Sequence, residues 1–234
     1  MKKMLKCFIK RCPGSYCFMF HHIDNGGITP KSSCVLSFEG FINIMDSGLN
    51  FMPIDSYVTG CRKDMYKCAI TFDDGLKDVY AVAYPELCKR NIPFTIFIIV
   101  DFLDKEGYIT TQELIEMSRN PLVTVASHGM THAVLKGMSI EQQKYEILES
   151  KKVIEKLISK EVRCFAFSHG MYDKNTIRIL KKNSNYQSAF GVTRFPGNMI
   201  TRQWRYHLPR INCENGQTPF YIVSRKNGKT LLLN

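Results

Sequence analysis

Apolar residues along this chain come in short runs, and most of the runs end in a polar cluster. Residues 15–23, 68–72, 93–100, 122–126, 163–167 and 188–192 have strand length and are rich in β-branched or aromatic side chains. The run 93–100 is apolar almost throughout, as a strand buried on both faces requires. Between the runs, apolar residues recur at helical spacing. Residues 38–47 place Phe38, Phe41, Ile42 and Met45 together, with Gly48 as a stop. Residues 76–90 do the same with Val79, Val82, Ala83 and Leu87, and Pro85 predicts a kink or an early end. Thr110 and Glu113 open residues 110–119 in a capping-box pattern. Residues 139–159 form the longest helix, with Ser139 as N-cap and Ile140, Tyr145, Leu148, Val153, Ile154 and Leu157 on its apolar side. Residues 173–182 make another helix. Residues 49–58 read as extended, 59–67 as a polar loop, and 220–223 as a last β-like piece.

Strands alternating with helices are βαβ units around a parallel sheet. The fold class is therefore α/β, and the number of repeats suits a barrel, distorted or incomplete. A chain of 234 residues fits one domain, taken here as 15–234 behind a basic lead at 1–14. A hydrophobic share of 44% supports a large core without disulfides or a structural metal.

Net charge is +11, from 32 Lys and Arg against 21 Asp and Glu, which favours an anionic partner. The basic residues are scattered singly and in pairs, without interleaved aromatics, so nucleic acid is not the expected partner. Nine cysteines, at 7, 12, 17, 34, 61, 68, 88, 164 and 213, form no C-x-x-C pair and suit reduced thiols better than a disulfide framework. The first residues start like a signal peptide, but Lys6, Lys10 and Arg11 interrupt the apolar stretch and no small-residue cleavage site follows. The expectation is a cytoplasmic protein whose basic lead touches a membrane surface.

The chemistry sits at the strand ends. Asp73 and Asp74 close one apolar run, His128 and His132 follow another, His169-Gly170 follow a third, and His21-His22 end the first. In a parallel barrel the carboxyl ends of the strands share one rim, where active sites gather. Adjacent carboxylates raise each other's pKa, and such a pair is kept for a cation or for a reaction that uses the asymmetry. Taken alone, Asp74 reads equally well as a helix N-cap. Two histidines four apart reach one ion, and with a carboxylate they give the three-ligand open site of catalytic zinc. Of His21 and His22, at most one faces the site, because neighbours on a strand point to opposite faces.

Thr71-Phe72-Asp73-Asp74-Gly75 and Ser127-His128-Gly129-Met130-Thr131-His132 resemble the two leading motifs of the polysaccharide deacetylases, the NodB-homology enzymes of carbohydrate esterase family 4. The resemblance covers roughly residues 16–215 and implies a single-domain distorted (β/α) barrel and a metal-dependent amidase acting on N-acetylated sugars. By position, Asp73 is the general base, and Asp74, His128 and His132 hold a divalent metal, zinc in most relatives and cobalt or another ion in some.

The third motif of the family ends in Pro-Tyr-Gly; here it is Phe167-Ser168-His169-Gly170. His169 and Gly170 therefore stand at the substrate and oxyanion wall, where the relatives use a backbone N–H. The family's C-terminal Leu-x-His motif is absent. Leu208-Pro209-Arg210-Ile211 instead resembles an element of a subgroup with rearranged motif order, which includes poly-N-acetylglucosamine deacetylases. That likeness makes His21 the general acid and pairs Arg210 with Asp73. The expected substrate is an N-acetylhexosamine-containing glycan or a lipid- or nucleotide-linked sugar precursor. Two alternatives stay open: a hydrolase of a non-sugar linear or cyclic amide on the same metal site, and a non-catalytic glycan-binding module.

Overall fold

The computed structural model describes residues 16–26, 34–59, 67–192, 205–214, 222–226 and 229–233. The basic lead expected at 1–14 and most of the polar loop expected at 59–67 lie outside them. Eight parallel strands form the central sheet. β1 (Tyr16–Phe20) lies between β5 (Lys67–Phe72) and β10 (Ile211–Asn212), with Phe20 opposite Phe72 and Phe18 opposite Ile211. Beyond β5 come β6 (Phe94–Ile98), β7 (Val123–Ser127), β8 (Cys164–Ala166) and β9 (Ser188–Phe190), while β4 (Asn50–Phe51) pairs with the start of β5. Leu208 bridges Phe190 of β9, and Ile211 pairs with β1, so residues 208–212 join the two edges of the sheet. This is the distorted (β/α) barrel expected from the alternation of strands and helices, in a single domain.

Side-chain parity along the strands explains what reaches the mouth. Cys17, Ala69, Phe97, Ala126, Cys164, Ala166 and Phe190 fill the barrel interior, and small residues there leave room for the two phenylalanine rings. Phe18, Phe20, Ile70, Phe72, Ile96 and Ile98 face the helices. Continuing the alternation, Asp73 and His21 point inward at the carboxyl rim, whereas His22 points outward and donates from Nδ1 to Asp78 Oδ2 at 2.7 Å. The first strand breaks at His21 before β2 (His22–Asp24), which pairs with β3 (Val35–Ser37).

Three expected elements differ from the structure, the first in kind over part of its length and the other two in detail. Residues 49–58 are extended only through β4: from Ile54 the chain forms a helix, Ile54–Thr59, whose first turn closes with Tyr57 N–H on the Pro53 carbonyl. Proline fixes φ at that helix start, and Ile54 and Tyr57 are its buried side.

The helix at 76–90 is met as a π-turn, Val79–Ala83, followed by Tyr84–Lys89. Pro85 has no N–H for the regular ladder, and the Tyr84 N–H reaches back five residues to Val79.

The long helix keeps its Ser139 cap, as a full capping box with Gln142, and its expected face in the second half, where Ile154 is buried and Leu148 and Leu157 pack on the core, but not in the first half. A π-turn, Tyr145–Glu149, separates Ile140–Lys144 from Ser150–Ile158 and shifts the register of the buried stripe. Ile140 and Tyr145 are 40% and 49% exposed, while Gln143, Glu146, Ser150 and Lys151 are buried. The helix capped by Thr110, Thr111–Arg119, follows expectation, with Thr110 and Glu113 in a reciprocal capping box.

Candidate active site

Asp73 is 2% exposed, and Arg210 is fully buried beside it. Arg210 donates from Nη1 to Asp73 Oδ1 at 2.5 Å and from Nη2 to Oδ2 at 2.7 Å, a bidentate pair. Its remaining donors reach Thr71 Oγ1 and the Gly191 carbonyl, and its guanidinium lies 5.0 Å from the centre of the Phe97 ring. Burial pushes the Asp73 carboxyl up, but Arg210, His128 and His21 outweigh it and hold the group at about 2. Asp73 is an anion throughout the physiological range.

Simple alternation would send Asp74 to the opposite face of the sheet. Instead Asp74 has φ 72°, and Gly75 follows at φ 74°, so the backbone turns and both carboxylates stand at the rim. The capping role does not apply: Asp74 Oδ1 is buried without a hydrogen-bond partner, and helical structure begins at Lys77, which puts the capping position at Leu76. That oxygen lies 3.5 Å from Nε2 of His128 and 3.5 Å from Nε2 of His132. His128 Nδ1 donates to the Ala166 carbonyl at 2.9 Å, which fixes the ring and turns Nε2 toward Asp74. Burial, reinforced by His128, lowers His132 to about 4 against the pull of Asp74, so its ring is neutral. One carboxylate oxygen and two imidazole nitrogens, with the oxygen orphaned between them, fit a divalent cation.

The loop carrying the histidines is held from behind by Glu146, which sequence reasoning missed because it sits inside an apolar helix pattern. Its Oε2 accepts the N–H of Met130 at 2.8 Å and of Thr131 at 3.0 Å, and its Oε1 accepts Thr131 Oγ1 at 2.7 Å. A Cβ on Gly129, which has φ 94°, would stand 2.8 Å from Glu146 Oε2. Glycine at 129 is therefore what lets the carboxylate approach. The signal was present in the sequence only as an acidic residue among Ile147, Ile154 and Ile158.

His132 and His169 both adopt left-handed backbone, at φ 66° and 57°, and their rings lie 4.6 Å apart. Together with Asp74, three site residues occupy a conformation that L side chains seldom adopt, as happens where function fixes geometry. Gly170 N–H donates to the Phe167 carbonyl at 2.8 Å, so it closes the turn on which His169 sits. On the other side, His21 Nδ1 lies 3.8 Å from Glu214 Oε1. The structure thus gathers Asp73, Asp74, His128, His132 and Arg210 by direct contact, sets His169 against His132, and places His21 beside Glu214.

Residues 62–187 match the family described as polysaccharide deacetylase. The chain belongs to that family. A Bacillus subtilis deacetylase of the family, YxkH, is 32% identical over 86% of this chain and 71% of its own length. Its name also assigns it to this family. The poly-β-1,6-N-acetyl-D-glucosamine N-deacetylase of Staphylococcus epidermidis is 27% identical over 62% of this chain and 54% of its own length, so the chain spans about half of that relative. Among solved structures, the Streptococcus pyogenes deacetylase PplD, determined with acetate, superposes with a TM-score of 0.75 at 20% identity, covering 86% of this chain and 92% of that one. That likeness establishes the deacetylase fold. Among the described residues, no helix is long and apolar enough to cross a membrane.

Proposed function

We propose that the chain is a metal-dependent N-deacetylase of a glycan, or glycan precursor, containing N-acetylhexosamine. The observation that carries this is the placement of an ionised, arginine-clamped Asp73, whose Oδ2 lies 3.7 Å from the His128 Nε2 that faces Asp74. Asp74, His128 and His132 would hold the ion, zinc by the chemistry of the donors. When bound, such an ion lowers the pKa of water and polarises the acetyl carbonyl. Asp73 then takes the proton of the attacking water, and Arg210 keeps its carboxylate ionised and aimed. The backbone N–H of His169 receives the oxyanion, Gly170 holding that residue in its turn. His21 protonates the leaving amine from the opposite side.

A binding module has no use for an unligated carboxylate beside a metal set, which favours catalysis. The relative from Staphylococcus epidermidis makes poly-β-1,6-N-acetyl-D-glucosamine the first substrate to try. The net charge of +11 favours phosphate-bearing precursors as well. One observation speaks for a smaller, non-sugar amide: the His169 ring stands against His132 where the relatives carry tyrosine. Acetate release should be measured across N-acetylglucosamine oligomers, lipid- and nucleotide-linked N-acetylhexosamines and small amides, at several salt concentrations. Release from the sugars, fastest at low salt for phosphate-bearing ones, is expected. Turnover of the small amides alone would refute the glycan reading.

A further inference from the structure

Two marks identify the Asp74 cluster: three ligand atoms within 4.8 Å of one another, and a buried polar atom with no hydrogen-bond partner. Among the described residues the two marks coincide once more, at His21, Cys34 and Glu214. His21 Nδ1 is the orphaned atom.

Backbone pairing brings these residues together from three separate segments. The His22 N–H donates to the Cys34 carbonyl at 3.1 Å, which fixes Cys34 beside the break in the first strand. The Cys213 N–H donates to the Met19 carbonyl at 2.9 Å, which brings Glu214 to the same strand end. Glu214 is buried, and its Oε1 also accepts from Asn212 Nδ2. Nitrogen, sulfur and carboxylate oxygen make a borderline-soft set, suited to zinc or cobalt and poorly suited to magnesium or calcium.

We propose that His21, Cys34 and Glu214 form a second divalent-ion site, distinct from the Asp74 cluster, and that its occupation inhibits the enzyme. Binding releases the Cys34 thiol proton and places the ion on His21 Nδ1. With an ion on Nδ1 the ring keeps its Nε2 proton, but releasing that proton to the leaving amine would leave a metal-bound imidazolate instead of a neutral imidazole, so the ring becomes a far weaker acid. The inhibitory part rests on His21 being the acid; the binding part does not.

Metal-free full-length protein should be titrated with Co²⁺, with bound metal counted by equilibrium dialysis and the near-ultraviolet spectrum recorded. Two ions per chain are expected. The second should bring a thiolate-to-cobalt charge-transfer band that the first lacks, since Asp74, His128 and His132 contain no sulfur. Cys34→Ser should lose the second ion and the band, keep the first ion and its acetate release, and resist excess Zn²⁺ at least tenfold better than wild type. Retention of the first ion reports that the variant is folded, and Glu214→Gln provides a second variant for the binding measurement. A single ion in the wild type, or an unchanged band in Cys34→Ser, overturns the site. A second ion with its band but no inhibition overturns the inhibitory part, and with it His21 as the acid, while leaving the Asp74 cluster untouched.

Discussion

Arg210 and Asp73 are 137 positions apart in the chain and meet through hydrogen bonds of 2.5 and 2.7 Å in the mouth of the barrel. Residues 208–212, which join β9 to β1, carry the arginine to that point. Barrel closure and the charge state of Asp73 are thus properties of one short segment.

Arg210→Met leaves Asp73 as a buried carboxylate without its cation, and should cost roughly 3–5 kcal/mol. The pH dependence should also change sign. In the wild type, Asp73 is held at about 2 against an ordinary 3.8, so its contribution is present above pH 4 and lost as pH falls through the folded value. At 1.36 kcal/mol per pKa unit that contribution is about 2 kcal/mol. In the variant, burial acts unopposed by the guanidinium and raises the carboxyl. Stability there is greatest at low pH and declines as pH rises. Melting temperatures between pH 3 and 8 check both slopes.

Glu146→Ala removes three hydrogen bonds from the loop between His128 and His132. Partners behind metal ligands typically matter 10–100-fold in affinity, and a loss of about that size is expected for zinc. Glu146→Gln should be far milder: its oxygen can accept both N–H groups, and its amide can donate to Thr131 Oγ1. Competition for zinc with a chelating dye measures the difference. Equal affinity in both variants would contradict the role.

At His169 the backbone, more than the ring, should decide stability. Its φ of 57° is one that glycine adopts freely. His169→Gly is expected to be more stable than His169→Ala by about 1 kcal/mol. Denaturant unfolding of the two variants gives the comparison.

Burial pushes the thiols of Cys17, Cys68 and Cys164 up to about 12, and Cys213 is raised further. A thiol attacks as thiolate, so these four should escape alkylation in the native protein. Cys34 and Cys88 are half-buried and should react first among the described cysteines. Mass spectrometry after native alkylation distinguishes the two groups.

Much of this was legible in the sequence because it rests on local rules. The run 68–72 and the apolar stretch at 93–100 became β5 and β6, and Thr110 and Ser139 became N-caps with full capping boxes. Asp74, His128 and His132 were readable because their spacing and neighbours are distinctive. Glu146 was not, since a π-turn breaks the 3.6-residue period that sequence reading assumes, and a buried carboxylate there makes sense only once the 128–132 loop lies across it. The helix at Ile54–Thr59 was missed for a related reason: six residues are too few to show a period, and Pro53 alone marked the start.

Acetate release per bound metal ion, in Asp73→Asn against wild type, tests the central claim most directly. The variant should bind zinc as tightly as wild type, because Asp73 is not among the ligands. Its turnover should fall by about 10²–10⁴-fold, the usual weight of a general base. Metal-stripped wild type should release no acetate until one equivalent of zinc is returned. Acetate release at the wild-type rate from Asp73→Asn, or from the stripped protein, would contradict the account.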